Sequence, residues 1–519
     1  MLSKEQLARI TSACDNAKQS WNSYYYEVFA YTQPERNYIW RVGGEAGNLK
    51  QIPLFTQAGK VGANIFVARL QNKLSPFEKP YINFVPKKSL ESDYVEQLKD
   101  FANAMSDKCN EKKNQIHLDE VLNECYYDLV AGTSVIAREN TINGLFFKSL
   151  PVTSYKLGTE TKQTVCRNFK LPACEIGIMF PELLDKNIGN IDVRGERKYE
   201  EVELQDVLWF NERDGIYEYY LTYAGDILLQ RRYERTPYHI MHWTKASDMP
   251  YGSGVGLQAL PALKRLNSYI KVKLELMPFS FPMFLTQSGN FVDRNVDFKA
   301  GGIINVKDIN AVNPITMQTD KQSFMLEIQT EELEIKQTML DYTLPTNPQR
   351  MTAAEVYARS NPQDEMVSMN ISRLTNIVKE IAWDIFDDIY NRELRGVVNF
   401  SLEDLHRMLD CEINNDATLD INLIQKIQGY IQTVGMFDPQ AIWQSIDKAK
   451  TLEKLEEAYN LPIEMRNTSE EITESMAQQV QAEQEMMNQQ AQMQMAIDSN
   501  KENAIAGREI AKQRAEQGV

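Results

Sequence analysis

Two amphipathic segments with a compact, turn-rich stretch between them constrain this chain more than any other feature. Leu260, Leu263, Leu266, Ile270, Leu274 and Met277 recur at three- and four-residue steps, which predicts a helix over 257–277. Pro278 and Pro282 end it. Residues 279–320 are rich in Gly, Asn and Pro, with short apolar pieces such as 302–306, and read as a small lobe. A second helix is predicted over 322–341. It carries Met325, Ile328, Glu332, Ile335 and Met339 on one side, while Leu326, Leu333 and Leu340 repeat every seventh residue. The stretch Leu344-Pro345-Thr346-Asn347-Pro348-Gln349-Arg350 is a loop by its breakers. Thr352 and Glu355 then have capping-box spacing, so a long helix starts there and runs to about 395, with a kink expected at Asn361-Pro362.

The flanks have a different character. Residues 1–131 read mostly as helix. Ala58, Ala63, Phe66, Leu70 and Leu74 form one apolar stripe; Leu118, Val121, Leu122, Cys125 and Leu129 form another, stopped by Gly132. Residues 133–243 are β-rich. Segments 133–139 and 144–150 flank the hairpin signal Asn143-Gly144. Further strands are expected at 152–157, 163–169, 206–210, 216–223 and 239–243, with a helical insertion near 172–188. Residues 401–460 suggest three or more short helices, and no aromatic residue follows Tyr459. From Glu470 onward Gln, Glu, Met and Ala dominate, a composition that is disordered in the monomer or helical when packed against other copies. The fold class is therefore α+β, mainly helical.

Composition narrows the function. The 519 residues amount to about three domains' worth of chain. With 43% hydrophobic and 25% charged residues, most of it can bury a core. No stretch approaches the roughly 18–20 apolar residues of a membrane span. The start, Met1-Leu2-Ser3-Lys4-Glu5, lacks the apolar run of a secretory signal, so the chain is expected in the cytoplasm when made. The six cysteines are dispersed, with no metal-binding spacing, and read as buried apolar thiols. A net charge of −16 argues against tight DNA binding, because that affinity comes from Lys and Arg displacing counterions. It does not exclude a protein that DNA slides past, for which weak contact is an advantage.

No motif carries catalysis. Gly252-Ser253-Gly254-Val255-Gly256 precedes a helix but lacks both the G-x-G-x-x-G spacing and a β-α-β setting, and reads as a flexible loop. No phosphate-binding P-loop exists. His239 and His242, three apart on a strand, point to opposite faces, and His117 and His406 have no evident partner. No nucleophile elbow is present. The chain is expected to be no enzyme and to need no cofactor or metal. Glu327, Glu331, Glu334 and Asp341 share one side of the second helix. Two readings fit them: a solvated face, or a face lining an aqueous channel and repelling DNA. Lys264, Arg265, Lys271 and Lys273 on the first helix could meet acids of a neighbouring copy's second helix, or DNA; pairing within the assembly is the simpler choice.

The order helix, lobe, helix, proline-rich loop, long capped helix resembles the portal (head-to-tail connector) family of short-tailed, podovirus-type bacteriophages. Tyr251-Gly252-Ser253-Gly254, with Ala259-Leu260-Pro261 and Leu266-Asn267, looks like that family's lead-in to its first stem helix. Arg350-Met351-Thr352-Ala353-Ala354-Glu355-Val356 looks like its segment after the tunnel loop. Ala131-Gly132-Thr133-Ser134-Val135 and Cys166-Arg167-Asn168-Phe169 are weaker matches. The resemblance spans about 130 to 395. It implies a wing over 1–250, stem helix 1 over 251–278, a clip over 279–320 and stem helix 2 over 321–341. It further implies a tunnel loop over 342–352, a long wing helix over 353–396, a helical crown over 397–466 and a tail over 467–519. Leu260, Leu263, Leu266, Ile270, Leu274, Ile328 and Ile335 would pack the stem. Pro345, Thr346, Asn347, Pro348, Gln349 and Arg350 would meet the DNA; Glu327, Glu331, Glu334, Asp341, Lys264 and Lys271 are the channel-lining candidates. The implied assembly is a homo-oligomeric ring of about twelve, closed by symmetry, at one capsid vertex. Its implied partners are double-stranded DNA held weakly, a terminase, capsid or scaffold protein and tail adaptors, with no membrane. The competing expectations are another virion protein, such as a tail adaptor or internal ejection protein, and a nucleotide-dependent DNA enzyme, which the missing phosphate loop disfavours.

Overall fold

The computed structural model describes residues 2–36, 53–77, 79–87, 92–141, 144–158, 164–183, 197–276, 283–285, 306–311, 313–315, 321–340, 353–395 and 400–413, with scattered positions beyond. The chain divides into two units, Met1–Asn415 and Asp416–Val519, and the described sheets and the large core belong to the first. Most of the clip, the whole tunnel loop, the crown beyond 413 and the tail lie outside the described residues.

Helix α1 (Lys4–Thr32) opens on a full capping box: the Ser3 hydroxyl accepts from Gln6 N–H and the Gln6 side chain returns to Ser3 N–H. Its buried side runs Leu7, Cys14, Lys18, Tyr25, Val28, Phe29. Helix α2 (Ala58–Leu74) buries the predicted Ala63, Phe66, Leu70 and Leu74. Strand β1 (Ile82–Pro86) follows, then α3 (Ser92–Gln115) and α4 (Leu118–Leu129). The β region holds two antiparallel sheets. Strands β2 (Thr133–Thr141), β3 (Gly144–Leu150) and β9 (Tyr238–His242) make one, with β2 central; its register sets Ile136 between Ser149 and His239. Strands β4 (Tyr155–Leu157), β5 (Val165–Pro172), β6 (Glu201–Asn211), β7 (Ile216–Tyr223) and β8 (Asp226–Tyr233) make a five-stranded meander, with helix α5 (Ala173–Met179) in the expected insertion.

Helix α6 (Val255–Leu276) and helix α7 (Lys321–Thr338) are the two helices that the spacing predicts on either side of the lobe. Between them β10 (Met283–Leu285) pairs antiparallel with β11 (Asn313–Ile315). Helix α8 (Ala353–Ile389) is continuous through Asn361-Pro362 and ends in a π-helical turn over Tyr390–Leu394. Helix α9 (Leu402–Met408) leads into β12 (Leu409–Ile413). One large core joins α1–α4, both sheets and α8.

Three departures from the sequence reading share a cause. Strands β1 and β12 lie where helix was expected, and they pair with each other, Ile82 opposite Ile413 and Pro86 opposite Leu409. Strand β8 is an extra meander strand, reached through a turn with Ala224 at φ +48° and Gly225 at φ +85°. Two consecutive positive φ values are the hairpin geometry that Asn-Gly normally signals; an alanine in the first place hides it. A five-residue strand has too little local pattern to be read alone, and its partner decides it.

Candidate functional site

The candidate functional element is the α6–α7 hairpin with the seam that holds it to the body. Before α6 the chain passes against the end of α4 backbone to backbone. Gly254 N–H donates to Ala131 C=O at 3.2 Å, Gly256 N–H to Val130 C=O at 2.8 Å, and Trp243 N–H to Gly132 C=O at 3.0 Å. The Thr133 hydroxyl accepts from Gly252 N–H at 2.7 Å. A Cβ on Gly132 would stand 2.2 Å from the Gly252 oxygen, and one on Gly254 would stand 2.2 Å from the Val130 oxygen. The glycine run read as a flexible loop is therefore a pinned seam, and Gly132 (φ +131°) serves close approach as well as helix termination.

Tyr251 sits in the same seam. Its hydroxyl accepts from Leu157 N–H at 2.9 Å. Its ring, with those of Tyr155 and Tyr25, surrounds the Lys18 ammonium at 5.0, 4.8 and 5.3 Å. Lys18 also donates to the Val152 carbonyl at 2.6 Å, and burial pushes its pKa down to about 7. Helix α1 is thus tied to the root of α6.

Along the hairpin, Leu263 and Leu266 of α6 pack with Ile328 and Ile335 of α7 and Met339 just beyond it in one small core, and Tyr269 meets Phe324 edge-on at 5.8 Å. Leu260 is buried in the main core, Ile270 is half-buried, and Leu274 is 48% exposed. Among the described residues of the two hairpin helices, the large apolar side chains left uncovered are Val272, Leu274, Met325, Leu326 and Leu333, the last two 63% and 56% exposed.

The charged candidates separate. Arg265 donates through Nε to Glu331 at 2.7 Å and through Nη2 to Glu334 at 2.9 Å, and Lys264 reaches Glu27 of α1 at 2.7 Å. The pairing expected between copies is therefore made within the chain for these residues, because α6 and α7 lie side by side and α1 flanks α6. Glu327 is exposed, and Lys271 is exposed with Glu275 at 3.8 Å. Asp341, Pro345 to Arg350 and Thr352 lie outside the described residues. Glu355 lies in the first turn of α8, and its side chain is outside the description.

Two of the four histidines, His239 and His406, pack against acids, while His242 is half-buried beside the Thr133 hydroxyl at 3.1 Å. His239 is buried with Nε2 2.8 Å from Asp384 Oδ2, and Arg138 Nη1 holds the other Asp384 oxygen at 2.5 Å. Burial opposes charge on His239, but its bonds to Asp384 and Glu380 raise its pKa. His406, expected to lack a partner, is 2.7 Å from Asp387 and 3.0 Å from Arg235. Among the described residues no group of three or more His, Cys, Asp and Glu could hold a metal ion, and no helix is long and apolar enough to cross a membrane. All six cysteines are free thiols, five buried and Cys174 half-buried.

Among solved structures the chain resembles one from the virion of a native gene transfer agent particle (TM-score 0.35, 9% identity) and one from the neck of an empty gene transfer agent particle (TM-score 0.36, 10% identity); each match covers 73% of this chain and 86% of the other. No curated protein matches the sequence. The bacteriophage head to tail connecting protein family matches residues 4–391, which include the seam, both hairpin helices and both sheets of the β region. This chain belongs to the bacteriophage head to tail connecting protein family.

Proposed function

We propose that copies of this chain stand hairpin beside hairpin in a ring of about twelve, closed by symmetry, at one capsid vertex. Double-stranded DNA is packaged, retained and ejected through its centre. The observation that carries the lateral contact is the uncovered apolar set on the hairpin, Val272, Leu274, Met325, Leu326 and Leu333, which lies outside the small core that α6 and α7 share. Charge supports the passive role: a ring of about twelve copies carries about −192, a field that repels the duplex. The tunnel loop, Pro345 to Arg350, is the segment we place against DNA, with Arg350 touching phosphate. The lobe between α6 and α7 is the docking point for a terminase motor and later for tail proteins. The particle is assembled in the host cytoplasm and the ring stays in the virion. A tail adaptor or internal ejection protein is the second reading, and stoichiometry separates the two. Native mass measurement and negative-stain imaging of the purified chain should give a ring of about twelve with an opening wide enough for a duplex. A chain that stays single-copy under all conditions, or a closed assembly, overturns the proposal.

A further inference from the structure

The three-stranded sheet and helix α8 meet in a cluster of four ionisable side chains that the channel role does not use. His239 of β9 and Asp384 of α8 are both 3% exposed. Asp384 divides its two oxygens between two strands: Oδ2 lies 2.8 Å from His239 Nε2, and Oδ1 accepts from Arg138 Nη1 of β2 at 2.5 Å. Glu380, one helical turn earlier, brings Oε2 to 3.5 Å from His239 Nδ1, ion-pair distance without a formed hydrogen bond. From β3 the Phe147 ring stands 6.3 Å from the imidazole, and Tyr217 of β7 lies within reach of the Glu380 charge.

Each ring nitrogen of His239 therefore faces a carboxylate. A neutral imidazole has one N–H and one lone pair, so one of the two carboxylates would meet a lone pair. An imidazolium carries N–H on both nitrogens and serves both. Charged, His239 together with Arg138 balances Asp384 and Glu380; neutral, it leaves the cluster with one net negative charge at the edge of the core. Three residues on, His242 lies on the opposite face of the same strand, where burial and then Lys245 push its pKa down to about 3. The two faces of β9 thus set two histidines to opposite charge states.

We infer that His239 is a proton-operated clamp: with its proton it fastens residues 380–384 of α8 to the three-stranded sheet, and without it that stretch opens more often while Val378, Ile381 and Ile385 keep the helix in the core. Burial opposes charge on the ring, whereas the bond to Asp384 and the charge of Glu380 favour it. The carboxylates prevail, so folded His239 keeps its proton above the usual 6.5. The clamp is complete below about pH 6.5 and is lost as pH rises through the higher folded value.

Hydrogen exchange of the full chain, read by mass spectrometry over 374–389 and corrected for the intrinsic change of exchange rate with pH, tests this. Between about pH 6 and about pH 9 the protection of that stretch should fall severalfold in the parent. His239→Gln keeps an N–H for Asp384 but cannot take a proton, so its protection should start lower and stay level across the range. Glu380→Gln, at a side chain 59% exposed, removes the carboxylate facing Nδ1 and should shrink the fall. If His239→Gln does not fold, Glu380→Gln decides alone. Protection in the parent that is level or rises with pH overturns the inference, as does a fall retained in full by either variant.

Discussion

Gly254 and Gly132 carry no chemistry, yet a methyl group on either would meet a carbonyl oxygen at 2.2 Å. Gly132 was legible as a helix stop because that signal is local. Its contact with Gly252 was not, since the partner lies far along the chain. The same holds for His406, whose neighbours Asp387 and Arg235 come from α8 and from the turn before β9. Asp206 is a residue whose environment sets its chemistry: burial pushes its pKa up to about 6, against the pull of Arg167. Unfolded, it titrates near pH 4, about where free aspartate does. Between these values the folded state holds more protons, so this residue's contribution to stability is lost as pH rises from about 4 to about 6. Asp206→Asn should flatten that fall, read as the difference in urea midpoint between the two ends of the window. Equal slopes in parent and variant would remove Asp206 from the pH response.

At the scale of elements, the hairpin was readable as two helices from their spacing, but not which face each would turn inward. Leu266 belongs to a stripe expected to meet a neighbouring copy. It is wholly buried inside the chain against α7, while Leu326 is the side chain left outside. The two residues should therefore behave oppositely. Leu266→Ala should cost the dilute, unassembled chain about 2–5 kcal/mol through lost burial and a cavity. Leu326→Asp should change that stability by no more than about 0.5 kcal/mol but abolish ring assembly, because it buries an unpaired charge between copies. Denaturant titration and native mass measurement read the two effects; rings formed normally by Leu326→Asp would refute this assignment. The strands show the converse limit. The β2–β3 hairpin was legible because turn and pattern are adjacent, whereas β1 and β12 acquire their identity only by pairing across most of the chain.

For the whole molecule, the acidic balance and the missing phosphate loop disfavour a DNA-gripping motor whatever the fold. They are compatible with a passive conduit, in which the loop between α7 and α8 meets the duplex. Deleting residues 345–349 should leave ring assembly intact, because the packed parts of the hairpin lie elsewhere, and should lower the yield of DNA-filled heads. Normal yields of filled heads from that deletion would rule out the loop's role.

By itself the sequence determined most of the helices and strands of the described residues, many of the breaks between them and the sign of the net charge. Each of these follows from periodicity, capping, turn chemistry or composition, all local or additive properties. Only the tertiary structure decided that the glycine run is a pinned seam, that Arg265 takes Glu331 and Glu334 within the chain, and that Arg167 and Asp206 share one small cavity. Each of those depends on residues distant in the chain arriving within a few ångströms of each other. Close packing fixes such meetings, and no local pattern encodes them.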